Sequence, residues 1–112
     1  MAEKNVLVII KSRPYTTLNS YEGLRVAIGL WDHHVSILWT GEGVYNLLKE
    51  ADHTRTSNFY ADFPDLNIKT HVDTTALEAR NIKLDELITG IRAMDGGQIA
   101  EMMLGANLTL VF

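Results

Sequence analysis

The sequence predicts an α/β fold: a single flavodoxin-like domain spanning residues 1–112, with about five mainly parallel strands and helices on both faces. Three observations lead there. The run Asn5–Ile10 (NVLVII) is apolar from Val6 on and rich in β-branched residues, the pattern of a strand covered on both sides. Further short apolar runs follow, separated by segments whose apolar residues recur at helical spacing. And 112 residues fit one domain, large enough to bury roughly two-thirds of the surface its unfolded chain exposes.

The elements follow in order. Lys11-Ser12-Arg13 and Pro14 end the first strand. A helix is expected from about Leu18 to Trp31, with Leu18, Tyr21, Leu24, Ile28 and Trp31 as its apolar stripe and Asn19/Glu22 as a cap for a slightly later start. A second strand covers Val35–Thr40, and Gly41-Glu42-Gly43 turns the chain into a helix carrying Val44, Leu47, Leu48 and Ala51 on one face. Asp52 to Asp65 reads as a long loop with one helical turn. A third strand, Asn67–Val72, leads to a short helix for which Thr75 and Glu78 have capping-box spacing. A second short helix over about Leu84–Thr89 and a weak strand at Gly90–Met94 come next. Asp95 and Gln98 are spaced as a cap for a helix with Ile99, Met102, Met103 and Ala106 on one face. The last strand is Leu108–Phe112; with no helix after it, part of the sheet is expected to lack cover and to favour association. Met94, Met102 and Met103 read as core filler, and Trp31 and Trp39 as core or interface aromatics.

Composition narrows the function. Fourteen acids against ten bases give a net charge of −4, which argues against direct nucleic-acid binding. No apolar stretch approaches the ~20 residues of a membrane span, and the N-terminus lacks signal-peptide features. Cysteine is absent, so there is no disulfide, thiolate metal site or thiol nucleophile; a cytoplasmic location is consistent with this. Four histidines (His33, His34, His53, His71) show no metal-pair spacing, and neither a metal nor a cofactor is expected.

In a parallel sheet, chemistry gathers at the carboxyl ends of the strands. The first strand delivers Lys11 and Arg13 beside Tyr15, two cations near hydroxyls able to hold an anion or to serve as a solvated loop. The second delivers Gly41-Glu42-Gly43 and Tyr45; Asn46 stands where a dinucleotide fingerprint needs glycine, and Glu42 would repel phosphate, so a plain tight turn is expected. The third delivers Asp73, read as a helix cap, a surface residue or, with His71, an acid–base pair. The ligand-binding candidates are therefore Lys11, Arg13, Tyr15, Glu42 and Tyr45.

The segment Lys11-Ser12-Arg13-Pro14-Tyr15 followed by Glu22-Gly23-Leu24-Arg25-Val26-Ala27-Ile28-Gly29-Leu30 resembles the start of the DsrE/DsrF-like family, and is most similar to its TusC/DsrF branch. The likeness continues through Gly41-Glu42-Gly43-Val44-Tyr45, Val72-Asp73 and Leu77-Glu78-Ala79-Arg80 to Phe112. This resemblance implies a five-stranded subunit of a sulfur-relay system, acting in persulfide transfer toward tRNA thiolation or in sulfur oxidation. It implies assembly as a homo-oligomer (trimer or hexamer) or as a hetero-complex with cysteine-bearing DsrE-like subunits. Active relatives carry a cysteine after the third strand, and this sequence has Asp73 about there. A carboxylate has no sulfur to accept or transfer. The expectation is a non-catalytic structural or partner-binding subunit; the alternatives are a self-assembling small-ligand or anion-binding module, or an enzyme using Asp73 and His71.

Overall fold

A computed structural model describes residues 3–14, 18–54 and 56–112. Five parallel strands, β1 (Asn5–Ile10), β2 (His34–Trp39), β3 (Lys69–Asp73), β4 (Arg92–Met94) and β5 (Leu108–Val111), form one sheet in the order β4-β3-β2-β1-β5. The helices are α1 (Asn19–Gly29), α2 (Ser57–Asp62), α3 (Thr74–Ala79) and α4 (Gly96–Gly105), with 3-10 turns at Gly41–Leu47 and Leu84–Glu86.

The strand order sets which face each helix covers. Crossovers between parallel strands are right-handed, so a chain stepping one way across a sheet lays its connections on one face, and a chain stepping back lays them on the other. From β1 to β4 the chain steps in one direction. Accordingly α1, the first 3-10 turn, α2 and α3 pack with Val6, Val8, Ile10, Val35, Ile37, Trp39 and Val72 in the main core. The return from β4 to β5 passes to the far side of β1, and α4 covers the opposite face, where Ile99, Met102 and Ala106 meet Leu7, Ile9 and Leu38. Helices do lie on both faces, but the division is uneven: among the described residues α4 is the one helix on the second face.

Alternation along β1 explains its unbroken apolar run. Val6, Val8 and Ile10 belong to one core, Leu7 and Ile9 to the other. The helix α1 departs from the expected stripe. Leu18 and Trp31 are exposed, and the buried face is Ser20, Gly23, Leu24 and Ala27. Small residues let the helix approach the sheet closely: a Cβ on Gly23 would sit 3.2 Å from both Ile10 and the Phe112 ring. The Asn19/Glu22 cap does not form; the helix begins after Leu18 with no side-chain cap, and Glu22 instead pairs with Arg25.

Where a helix was expected after the second strand, the chain makes the 3-10 turn Gly41–Leu47 and then an antiparallel bridge between Leu48 and Leu87. Val44 and Leu47 are nevertheless fully buried, as their spacing suggested. The long loop contains the helical turn α2, anchored by aromatic contacts of Tyr60 with Trp39 (6.1 Å between centroids) and Phe63 (5.8 Å). Met102 packs in the second core, but Met103 is exposed, since α4 has sheet on only one side. The Asp95–Gln98 capping box forms reciprocally, with Gln98 N–H donating to Asp95 and Asp95 N–H to the Gln98 side chain.

His71, 6% exposed, is buried on the α4 face, and its Nδ1 has no hydrogen-bond partner among the described residues. Desolvation foremost, then the positive charges of Arg92 and Lys69, hold its pKa below the ordinary 6.5. The folded state therefore binds fewer protons at this site than the unfolded chain between that lowered value and 6.5. Stability from this site is fully present above 6.5 and is lost as pH falls through the folded value. Urea unfolding from about pH 7.5 down to about pH 5 should show this loss, and His71→Leu should flatten it; an unchanged slope in the variant would count against the assignment.

Candidate functional site

The carboxyl ends of β1, β2 and β3 bring together three segments: Lys11–Pro14, Thr40–Leu47 and Asp73–Arg80. Their junction is built on backbone contacts. The Ile10 carbonyl accepts from Thr40 N–H (3.0 Å), and Gly43 lies directly against that carbonyl. A Cβ on Gly43 would fall inside the contact distance of the Ile10 oxygen and 2.8 Å from its carbonyl carbon. Gly41 has φ +53°, the left-handed region that starts the turn. The Gly41-Glu42-Gly43 motif is thus a steric requirement of the tight turn, as the sequence suggested, with Gly43 N–H donating to Thr40 O (2.9 Å).

Asn46, which broke that fingerprint, has a role that sequence reasoning missed. Its Nδ2 donates to Ser12 O (3.0 Å), Gly43 O (2.8 Å) and Ser20 Oγ (3.2 Å), while Ser20 Oγ donates to Ser12 O (2.9 Å). One amide thereby ties the β1 loop, α1 and the 3-10 turn together. No sequence motif announces such a hub; only the fold brings residues 12, 20, 43 and 46 into reach.

The predicted ligand-binding residues are partly assembled. Arg13 and Glu42 form a two-point ion pair, Nε to Oε2 and Nη2 to Oε1 (2.9 Å for the second). The hydrogen bond to Arg13 holds the Glu42 carboxyl below its ordinary range, and Glu42 raises the Arg13 guanidinium. Both side chains are open to solvent, so the pair orients the loop more than it stabilises the fold. Tyr45 is half-buried, with the Arg80 guanidinium 5.9 Å above its ring centroid, and Arg80 Nη1 donates to Ala76 O (3.1 Å). Lys11 is exposed, and its backbone N–H donates to Phe112 O (2.8 Å). Tyr15 lies outside the described residues. Lys11, Arg13 and Arg80 supply positive charge near this crevice, but Glu42 already occupies the Arg13 fork.

Asp73 is the N-cap of α3. Oδ1 accepts from Thr75 N–H (3.0 Å) and Oδ2 from Thr40 Oγ1 (2.8 Å). Thr75, expected to cap, is instead the first-turn donor. The two oxygens join the ends of β2 and β3 to the start of α3. Among the described contacts no hydrogen bond links Asp73 to His71; Asp73 is engaged by Thr40 and Thr75, and His71 Nδ1 is buried without a partner. No cluster of three or more metal-ligating side chains occurs among the described residues. The chemistry available to Asp73 here is that of a carboxylate bound to its own fold.

Two substitutions test this construction by urea denaturation. Gly43→Ala should destabilise by about 1–3 kcal/mol or prevent folding, whereas Gly29→Ala, with open space around it, should be neutral or mildly stabilising. Asp73→Ala should cost about 1–2 kcal/mol through the lost cap, and Asp73→Asn, which can still accept from Thr75 N–H, clearly less. Equal losses for alanine and asparagine would contradict the capping role.

The model of the DsrE/DsrF-like family matches residues 4–112. Curated proteins gave no significant match. The fold is similar to the crystal structure of the ychN protein from E. coli, with a TM-score of 0.82, 20% identity and coverage of 99% of this chain and 100% of that one. It is also similar to MTH1491, a protein of unknown function from Methanobacterium thermoautotrophicum, with a TM-score of 0.67, 14% identity and coverage of 96% and 97%. At these identities the structural likeness speaks for the fold alone, but the family match covers nearly the whole sequence: the chain belongs to the DsrE/DsrF-like family, as a member without cysteine.

Proposed function

We propose that this chain is a non-catalytic structural or partner-binding subunit of a sulfur-relay complex, close in role to the TusC/DsrF branch. The observation that carries the reading is Asp73. The site where active relatives are expected to hold a thiol has a carboxylate, and both of its oxygens accept hydrogen bonds from Thr40 and Thr75. With no cysteine anywhere in the sequence, the chain has no atom on which to carry a persulfide. Its contribution is then surface. Leu104 (87% exposed), Met103 (48%) and Leu108 and Val111 (45% and 53%) present apolar groups on α4 and the edge strand β5. Such a surface supports association, as a homo-oligomer or with cysteine-bearing DsrE-like subunits. A cytoplasmic setting belongs to the proposal, because the cysteine thiols of the relay partners stay free of disulfides there. No helix among the described residues is long and apolar enough to cross a membrane.

A second reading, an anion-binding module, draws on Lys11, Arg13 and Arg80 near the crevice. The Arg13–Glu42 pair weighs against it, since an anion must first displace a carboxylate already seated.

Co-expression with cysteine-bearing DsrE-like proteins of the same genome tests the first reading. The tagged chain should co-purify with such a relative in fixed stoichiometry, and Leu104→Glu with Val111→Glu should release it. Failure to bind any such relative, together with calorimetric binding of inorganic phosphate that Arg13→Ala abolishes, would support the second reading instead.

A further inference from the structure

The second face of the sheet has an opening remote from the Asp73 junction. The helix α4 crosses this face from β4 toward β5 and ends at Gly105. Beneath its C-terminal half, at the amino ends of β1, β2 and β3, lies an open cavity of about 410 Å³. This is the opposite end of the sheet from Asp73 and Arg13.

Strand register fixes its floor. Leu7, Ser36 and Lys69 are register neighbours on β1, β2 and β3, so their side chains form one row on the same face. The row runs from apolar to cationic. At the β1 end Leu7 meets Met102 and Ala106 of the α4 segment; at the β3 end Ser36 offers a hydroxyl and Lys69 an ammonium. Among the described residues no carboxylate pairs with Lys69, nor with Arg92 on the neighbouring strand. The charges of Lys69 and Arg92 both reach His71 between them, so this end of the face is locally positive in a protein of net charge −4. At the lower rim His34 is held by Glu3 (2.8 Å).

We propose that this cavity is a binding site for a small amphipathic monocarboxylate. Its aliphatic body lies against Met102 and Ala106, which cover the buried Leu7, and its carboxylate meets Lys69 with Ser36 Oγ as donor. Three features select this class. The volume is at the small end of ligand pockets, which span about 300–1,000 Å³. The one ammonium on the floor, with no carboxylate partner among the described residues, matches one negative charge, which the two charges of a phosphate ester exceed. The apolar wall rewards an alkyl chain, which a purely ionic ligand lacks. The proposal is independent of any sulfur-relay role.

Sodium octanoate is the probe, with 1-octanol and inorganic phosphate as comparators, followed by calorimetry and by amide chemical shifts on the full chain. Octanoate should saturate a single site, shifting Leu7, Ser36, Lys69 and Met102. Lys69→Met, which keeps the apolar stem and removes the charge, should weaken octanoate by about tenfold or more while leaving 1-octanol unchanged. Ala106→Leu should block both by filling the cavity, with melting temperature confirming that each variant is folded. Arg13→Ala should have no effect. The proposal is overturned if octanoate does not bind, if phosphate binds as tightly, if the shifts map elsewhere, or if Lys69→Met leaves octanoate affinity intact.

Discussion

The molecule is organised by the need to cover β1 on both faces. This strand is the most continuously apolar segment, and it sits between β2 and β5. Its even-numbered side chains require one layer of helices and its odd-numbered ones another. The handedness of parallel crossovers then decides which helix goes where. Three connections in one direction place everything from α1 to α3 over Val6, Val8 and Ile10. One return connection leaves Leu7 and Ile9 to α4. From this imbalance come both the densely built junction at the carboxyl ends and the partly open face at the amino ends.

Much of the backbone plan was legible in the residues. NVLVII marks β1 to the residue, because the five consecutive apolar residues Val6 to Ile10 have no solvated face and need cover on both sides of a sheet. The Asp95–Gln98 box likewise announces α4, since its chemistry is local. Failures arose where tertiary packing overrode local pattern. In α1 the large apolar residues Leu18 and Trp31 drew the stripe outward, whereas close approach to the sheet selects Gly23 and Ala27. In the segment after β2, Val44 and Leu47 were rightly assigned to the interior, but contact of Gly43 with Ile10 confines the backbone to a 3-10 turn. The site was legible as a place and only partly as a set of contacts. Arg13 with Glu42, and Asp73 as a cap, involve residue types that invite such roles. Asn46 gave no signal, because its three acceptors come from separate segments.

Asp73 shows how a family scaffold can keep its geometry without its reagent. The position that active relatives are expected to use for sulfur lies at the N-terminus of α3, where a side-chain acceptor satisfies an otherwise unpaired N–H. An aspartate there fulfils the capping need and adds a bond to Thr40 across the strands. On the proposed reading, retaining the fold in this way keeps the outer surfaces offered for association while the chain has no thiol to react. That proposal separates surface from chemistry, which an active member is expected to combine in one chain.

The most direct test of that separation is the rate of sulfur transfer from a persulfide donor, measured for this chain alone and for its assembly with a cysteine-bearing partner, with native Asp73 and with Asp73→Asn. The chain alone should transfer nothing, and Asp73→Asn should leave the rate of the assembly unchanged while the complex still forms. Transfer by the isolated chain, or loss of transfer in an intact Asp73→Asn assembly, would show that the carboxylate takes part in the chemistry and would contradict a purely structural role.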